Sequence, residues 1–176
     1  KIIANMAVGY DNIDIQAANR FSVKVTNTPD VLTKSTAELT IALIFMMAKR
    51  LQEGNLAIRN NEWGPWHPSW MLGKDLDNST LGIIGPGKIG REVAKIAKSL
   101  NMQIIYYGKK TKKNFPGNFV TLENFETSAK SKGTFVGLVN SGTCLVFTVC
   151  FIFDNLINLF RHSLNVNIFL FDSVPT

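Results

Sequence analysis

Residues 81–98, LGIIGPGKIGREVAKIAK, constrain the fold more than any other stretch of the chain. An apolar, partly β-branched run reaches Gly85, and an amphipathic helical pattern follows. Between them Gly85, Gly87 and Gly90 hold the G-x-G-x-x-G spacing. In a strand–turn–helix unit the first glycine permits a tight turn. The second admits a pyrophosphate close to the backbone, and the third lets the helix lie against the strand. A helix opening at such a turn offers free N–H groups and a positive dipole end to phosphates. Residues 103–107 (QIIYY) supply the next strand of the βαβ unit. The expected fold class is α/β, built on a Rossmann-type doubly wound parallel sheet. Glycine-rich turns are common, so function has to be argued from context.

Context begins where that second strand ends. An NAD-specific site places Asp or Glu about 20 residues beyond the glycines, against the ribose 2′-hydroxyl. Here the chain reads Gly108-Lys109-Lys110-Thr111-Lys112, without a carboxylate. Lys109, Lys110 and Thr111 favour a 2′-phosphate, so NADP(H) is the preferred cofactor and NAD(H) a possible one. Lysine binds phosphate as a point charge rather than a planar fork, which softens the discrimination. The alternative is a solvated basic loop. Gly85, Gly87, Lys88, Ile89 and Gly90 complete the candidate cofactor set. Pro86 carries no N–H, which leaves the donors of Gly87, Lys88 and Ile89 for the phosphates.

Upstream, residues 1–8 (KIIANMAV) read as a buried strand that a turn at 9–12 ends. Residues 13–20 suit a short helix, and 21–26 (FSVKVT) alternate as a strand does. Ser35 and Glu38 have the capping-box spacing ahead of a largely apolar run, 39–51, that ends at Lys49, Arg50 and Gln52. A helix so apolar is expected to be buried on most sides, and it is too short to span a bilayer.

Two motifs here, VGYDNID at 8–14 and NTPDVLTKSTAE at 27–38, stand at the proper distance before the glycine turn. Over roughly residues 1–130 the chain resembles the NAD(P)-dependent D-2-hydroxyacid dehydrogenases. Within that family it looks most like the glyoxylate/hydroxypyruvate reductases. The resemblance implies that residues 1–27 end a flavodoxin-like substrate domain, a remnant of which precedes the nucleotide domain. Residues 28–132 would be the first half of that domain, its sheet truncated.

The resemblance further implies hydride transfer between a nicotinamide and C2 of a small 2-keto or 2-hydroxy acid. The backbone N–H groups at Val8 and Gly9 would meet the substrate carboxylate. Thr36 matches a position near the cofactor, or is simply a first-turn helix residue. Family dimers bring a loop aromatic toward the neighbouring active site, which makes Trp70 a candidate substrate-side wall. Alternatively, Trp63, Trp66 and Trp70 cap the core. An Arg and a His paired with a carboxylate would complete the chemistry. No residue matches them, so no catalytic residue is assigned: His67 reads as a surface histidine, and His162 lacks the family's surroundings. Pro86 also departs from the family, which usually has leucine or another apolar residue there.

Composition bears on the remaining classes. At 45% hydrophobic and 18% charged residues, the 176-residue chain can form a core. The net charge of +6 is dispersed apart from Lys109, Lys110, Lys112 and Lys113, and no aromatics interleave it, so no nucleic-acid partner is expected. Cys144 and Cys150 lack metal-ligand spacing, and no metal is expected. The chain opens on Lys1 within an apolar run, so its natural start is expected upstream.

Residues 133–176 change character. Of nineteen basic residues only Arg161 lies there, against seven of the twelve phenylalanines. Three readings stand: a tail unlike the family, a strand-rich segment with 134–139 (TFVGLV) as the next parallel strand, or a membrane anchor at 133–153. The last is disfavoured by the polar residues and glycines within it and because no positively charged flank follows Phe153. The expected function is NADPH-dependent reduction of glyoxylate or hydroxypyruvate by a cytoplasmic homodimer, of which this chain is an incomplete form. The alternative is an inactive nucleotide-binding or dimerising module.

Overall fold

The computed structural model describes residues 1–129 and 134–138. Its first unit is a parallel pair, β1 (Ile2–Ala4) and β2 (Lys24–Thr26), joined through α1 (Ile15–Arg20). Asp14 caps α1, one carboxylate oxygen accepting the Ala17 N–H at 2.8 Å. Contrary to the expected buried strand, all of β1 is exposed, Ile2 at 62%. Among the described residues a two-stranded sheet with one six-residue helix has no further layer to cover it.

Next comes α2 (Thr33–Ala48). It begins ahead of the expected capping box, with Leu32 as the cap residue and no side-chain cap. The Ser35 hydroxyl instead donates back to the Leu32 carbonyl at 3.1 Å, a local bond that serine forms readily within a first turn. Nor is α2 buried on most sides. Ala37, Thr40, Ile41, Ile44 and Ala48 are buried, whereas Leu39, Met46 and Met47 are exposed. One stripe at i, i+3/i+4 spacing therefore meets the body of the protein. Arg50, in the left-handed region at φ 54°, turns the chain into α3 (Leu51–Arg59), a helix that the 39–51 pattern does not announce. Glu53 accepts the Arg50 guanidinium at 2.5 Å across that junction, which raises the Arg50 pKa and lowers that of Glu53.

The second sheet carries the core. It contains β3 (Thr80–Ile84), β4 (Gln103–Tyr107), β5 (Asn118–Phe119) and β6 (Thr134–Leu138), all parallel, in the order β5-β4-β3-β6. Helix α4 (Lys88–Ser99) links β3 to β4, and α5 (Leu122–Ala129) precedes β6. Leu81 and Ile83 on β3 are wholly buried, as expected of a central parallel strand. They join Ile104 and Tyr106 of β4, Val93, Ala94 and Ala97 of α4, and Ala37, Ile41 and Ile44 of α2 in one cluster. The small residues of α4 let it lie close to its neighbours.

The strand order has a functional consequence. From β3 the chain moves to β4 and β5 on one side, then returns to β6 on the other. Doubly wound sheets bind ligands at the carboxyl ends of the strands, where the order reverses. That reversal lies between β3 and β6, beside the glycine turn. The sheet also reaches further than the truncated unit expected from the sequence, because Thr134–Leu138 pairs with β3 as the strand reading of 134–139 requires. The rest of residues 133–176 lies outside the described residues, including Cys144, Cys150, His162 and most of the 133–153 stretch. Among the described residues no helix is long and apolar enough to cross a membrane, and no His/Cys/Asp/Glu group could hold a metal.

Candidate nucleotide site

The three glycines serve three different ends. Gly85 has φ 96°, a conformation that a Cβ would strain. Its N–H donates to the Tyr107 carbonyl at 3.1 Å, which adds one bond to the β3–β4 ladder before the chain turns away. Gly87 is the N-cap of α4, with extended backbone. Gly90 faces the strand: a Cβ there would come 2.5 Å from the Gly85 carbonyl oxygen and 3.3 Å from an Ile83 methyl carbon. The second glycine differs from expectation in one respect. Its N–H donates to the Gly85 carbonyl at 2.8 Å and is therefore engaged within the turn. Pro86 has none to give. The backbone donors that face outward are then those of Lys88, Ile89 and Gly90, which an α-helix leaves without an intrahelical acceptor.

The lysine loop is attached directly to this turn. A Cβ on Gly108 would come 2.8 Å from Pro86 Cδ, so the proline is accommodated because residue 108 is glycine. Beyond it the loop is pinned from below. The buried Tyr106 hydroxyl accepts the Lys112 N–H at 3.0 Å, and its ring packs on Phe115 with centroids 4.4 Å apart. Arg91 of α4 donates to the Asn114 carbonyl and stacks over Phe115 at 5.6 Å. Lys109, Lys110 and Thr111 are left exposed at the carboxyl end of β4. Gly108→Ala should push against a rigid pyrrolidine ring. We expect about 1–2 kcal/mol of lost stability in urea unfolding, as for other overpacked sites.

The candidate substrate turn follows β1. The Ala7 carbonyl accepts the Thr28 N–H at 2.9 Å, and the Val8 carbonyl accepts the Asn27 amide at 2.9 Å. Asn5 holds the Gly9 carbonyl at 2.8 Å. All peptide bonds here are trans, so the N–H groups of Val8 and Gly9 point away from the 27–28 segment. Thr36 sits half-buried in the first turn of α2.

One residue links this region to the glycine turn, and the sequence patterns did not single it out. Asp30 accepts from Lys88 Nζ with both carboxylate oxygens, at 2.6 and 2.7 Å, across 58 residues of chain. Its backbone lies at φ 69°, a region that Asp and Asn enter more easily than other side chains. Its place in the Thr28-Pro29-Asp30 turn was the available signal.

Trp70 stands apart. Its ring packs edge-on against Trp63 at 4.6 Å, within its own loop beyond α3. Trp63, Trp66 and Trp70 are 53%, 87% and 37% exposed, so they do not cap the core. The loop is an excursion whose aromatics find one another rather than an apolar layer. His67 is exposed, its Nδ1 beside the Ser69 hydroxyl at 2.9 Å.

Residues 41–132, more than half of the chain, match the model of the D-isomer specific 2-hydroxyacid dehydrogenase NAD binding domain. The chain belongs to that family. Over 116 residues it is 49% identical to the glyoxylate reductase of Pyrococcus horikoshii, covering 64% of this chain and 35% of that protein. The glyoxylate reductase of Aeropyrum pernix is 49% identical over 117 residues, covering 64% and 35%. Among solved structures, the TT0316 protein of Thermus thermophilus superposes with a TM-score of 0.71 at 40% identity, covering 80% of this chain and 43% of that one. The chain thus spans about a third of the length of the curated relatives it matches. The family match overlaps the glycine turn, α4 and the lysine loop, so the family and the site geometry concern the same residues.

Proposed function

We propose that this chain carries the nucleotide-binding part of an NADP(H)-preferring reductase of glyoxylate or hydroxypyruvate. The observation that carries the reading is the pairing of a glycine turn at the switch point with two exposed lysines at the end of the neighbouring strand. The residues fit a dinucleotide. Gly85 takes up the left-handed turn at φ 96° and Gly90 lets α4 lie against β3, the first turn of α4 offers donors to a pyrophosphate, and Lys109, Lys110 and Thr111 suit a 2′-phosphate. When bound, the nicotinamide supplies or accepts the hydride. The chain's own residues would orient the reactants: Thr36 beside the cofactor, and the N–H groups of Val8 and Gly9 against the substrate carboxylate.

Residues 1–27 are read as the end of a substrate domain and 28–132 as part of the nucleotide domain, in a cytoplasmic homodimer. Trp70, exposed on its loop, is available to a neighbouring subunit. A second reading, a non-catalytic nucleotide-binding or dimerising module, is favoured by one observation: the family model that matches, over residues 41–132, is that of the NAD binding domain. Purified chain with NADPH and hydroxypyruvate separates the two. Turnover supports the reductase, and tryptophan quenching without turnover supports the module.

The cofactor assignment has its own test. Charged hydrogen bonds are worth roughly 1.5–3 kcal/mol each, less where exposed. Lys109→Asp with Lys110→Ala should therefore raise the NADPH dissociation constant on the order of ten-fold. The NADH value should stay within about two-fold, since NADH has no 2′-phosphate for these lysines to bond. Equal effects on the two would remove the lysines from the 2′-site.

A further inference from the structure

We propose that Asp30 competes with the dinucleotide pyrophosphate for Lys88 and so sets the affinity of the glycine turn. The inference rests on the nucleotide-site reading given above and adds a residue to it. Two backbone donors that a glycine turn could offer are absent here, because Pro86 has no N–H and that of Gly87 is spent on Gly85. The first residue of α4 is Lys88, whose ammonium is the nearest side-chain cation along the helix to make up the deficit. Yet it is held by both oxygens of Asp30. The pair is largely exposed, with side chains 71% and 57% accessible. An exposed ion pair of this kind contributes little, so a doubly charged pyrophosphate at the helix terminus can draw the ammonium away. What remains after that exchange is a carboxylate beside the phosphates, and it opposes binding.

The φ of 69° at Asp30 directs the test. Asparagine enters that region as aspartate does, so Asp30→Asn removes the charge with the least disturbance of the backbone. Calorimetric titration of the full chain with NADPH and with NADH should give dissociation constants about three-fold lower for Asp30→Asn, by the same factor for both, since both share the pyrophosphate. Raising the salt concentration should shrink the difference. Lys88→Met should weaken both about ten-fold, and Asp30→Asn should add much less in that background, because the ammonium for which it competes is gone.

If wild type binds and Asp30→Asn binds equally or more weakly, the competition is refuted while the nucleotide site stands. A gain for NADPH alone would also refute it, since the effect would then lie at the 2′-phosphate. Failure of all the chains to bind either dinucleotide would overturn both the site reading and this inference.

Discussion

A Gly90→Ala chain is expected to lose roughly 1–3 kcal/mol of stability and to bind dinucleotide at least ten-fold more weakly. Glycine costs a helix interior about 1 kcal/mol relative to alanine, so propensity alone predicts the opposite sign. Geometry decides against propensity here. The added carbon would stand 2.5 Å from the Gly85 carbonyl oxygen, a backbone atom that moves only with the turn. It would also press on Ile83, which is fully buried. Relief requires α4 to lift off β3. That opens the core and displaces the first-turn donors from the position a pyrophosphate occupies. Urea unfolding and titration with NADPH read the two consequences separately. A Gly90→Ala chain at least as stable as wild type would mean that helix and strand are not in contact there.

The largest loss is expected from Leu81→Ala, about 2–5 kcal/mol in urea unfolding. Leu81 is wholly buried on β3, opposite Ile104 of β4 and Phe135 of β6 in the ladder, and belongs to the core cluster of the described residues. The sheet is hydrogen-bonded on both sides of β3, so the strand has little freedom to collapse into the space. Leu39, equally apolar but exposed on α2, is the control. Its alanine variant should fall within about 0.5 kcal/mol of wild type. Comparable losses at the two positions would contradict the burial that separates them.

What could be read from the sequence was whatever local chemistry dictates. The G-x-G-x-x-G spacing announces β3, the turn and α4, since each glycine answers a backbone need visible at that residue. The β4 strand follows, and so does α1, within two residues of its expected start. Misjudged features depended on partners distant along the chain. Ser35 and Glu38 have the right spacing for a cap, but the helix starts at Thr33 and Ser35 bonds backward. The apolar run in α2 suits burial on most sides and gives no hint of which stripe meets the core, so the exposure of Leu39, Met46 and Met47 is not legible in it. The exposure of β1 reflects how few of the described elements lie over it. Asp30 reaches Lys88 across 58 residues, a pairing no local pattern encodes. The contact of Pro86 with Gly108 is of the same kind. It shows why a departure from the usual apolar residue between the glycines is tolerated: the matching absence of a side chain lies at the end of the next strand.

The central claim is that the carboxyl ends of β3 and β4 form one NADP(H) site, with the glycine turn for the pyrophosphate and Lys109 and Lys110 for the 2′-phosphate. Parallel calorimetric titrations of the wild-type chain with NADPH and NADH, at one low salt concentration, test it most directly. A dissociation constant for NADPH about ten-fold below that for NADH is the predicted result. Equal constants, or tighter binding of NADH, would contradict it.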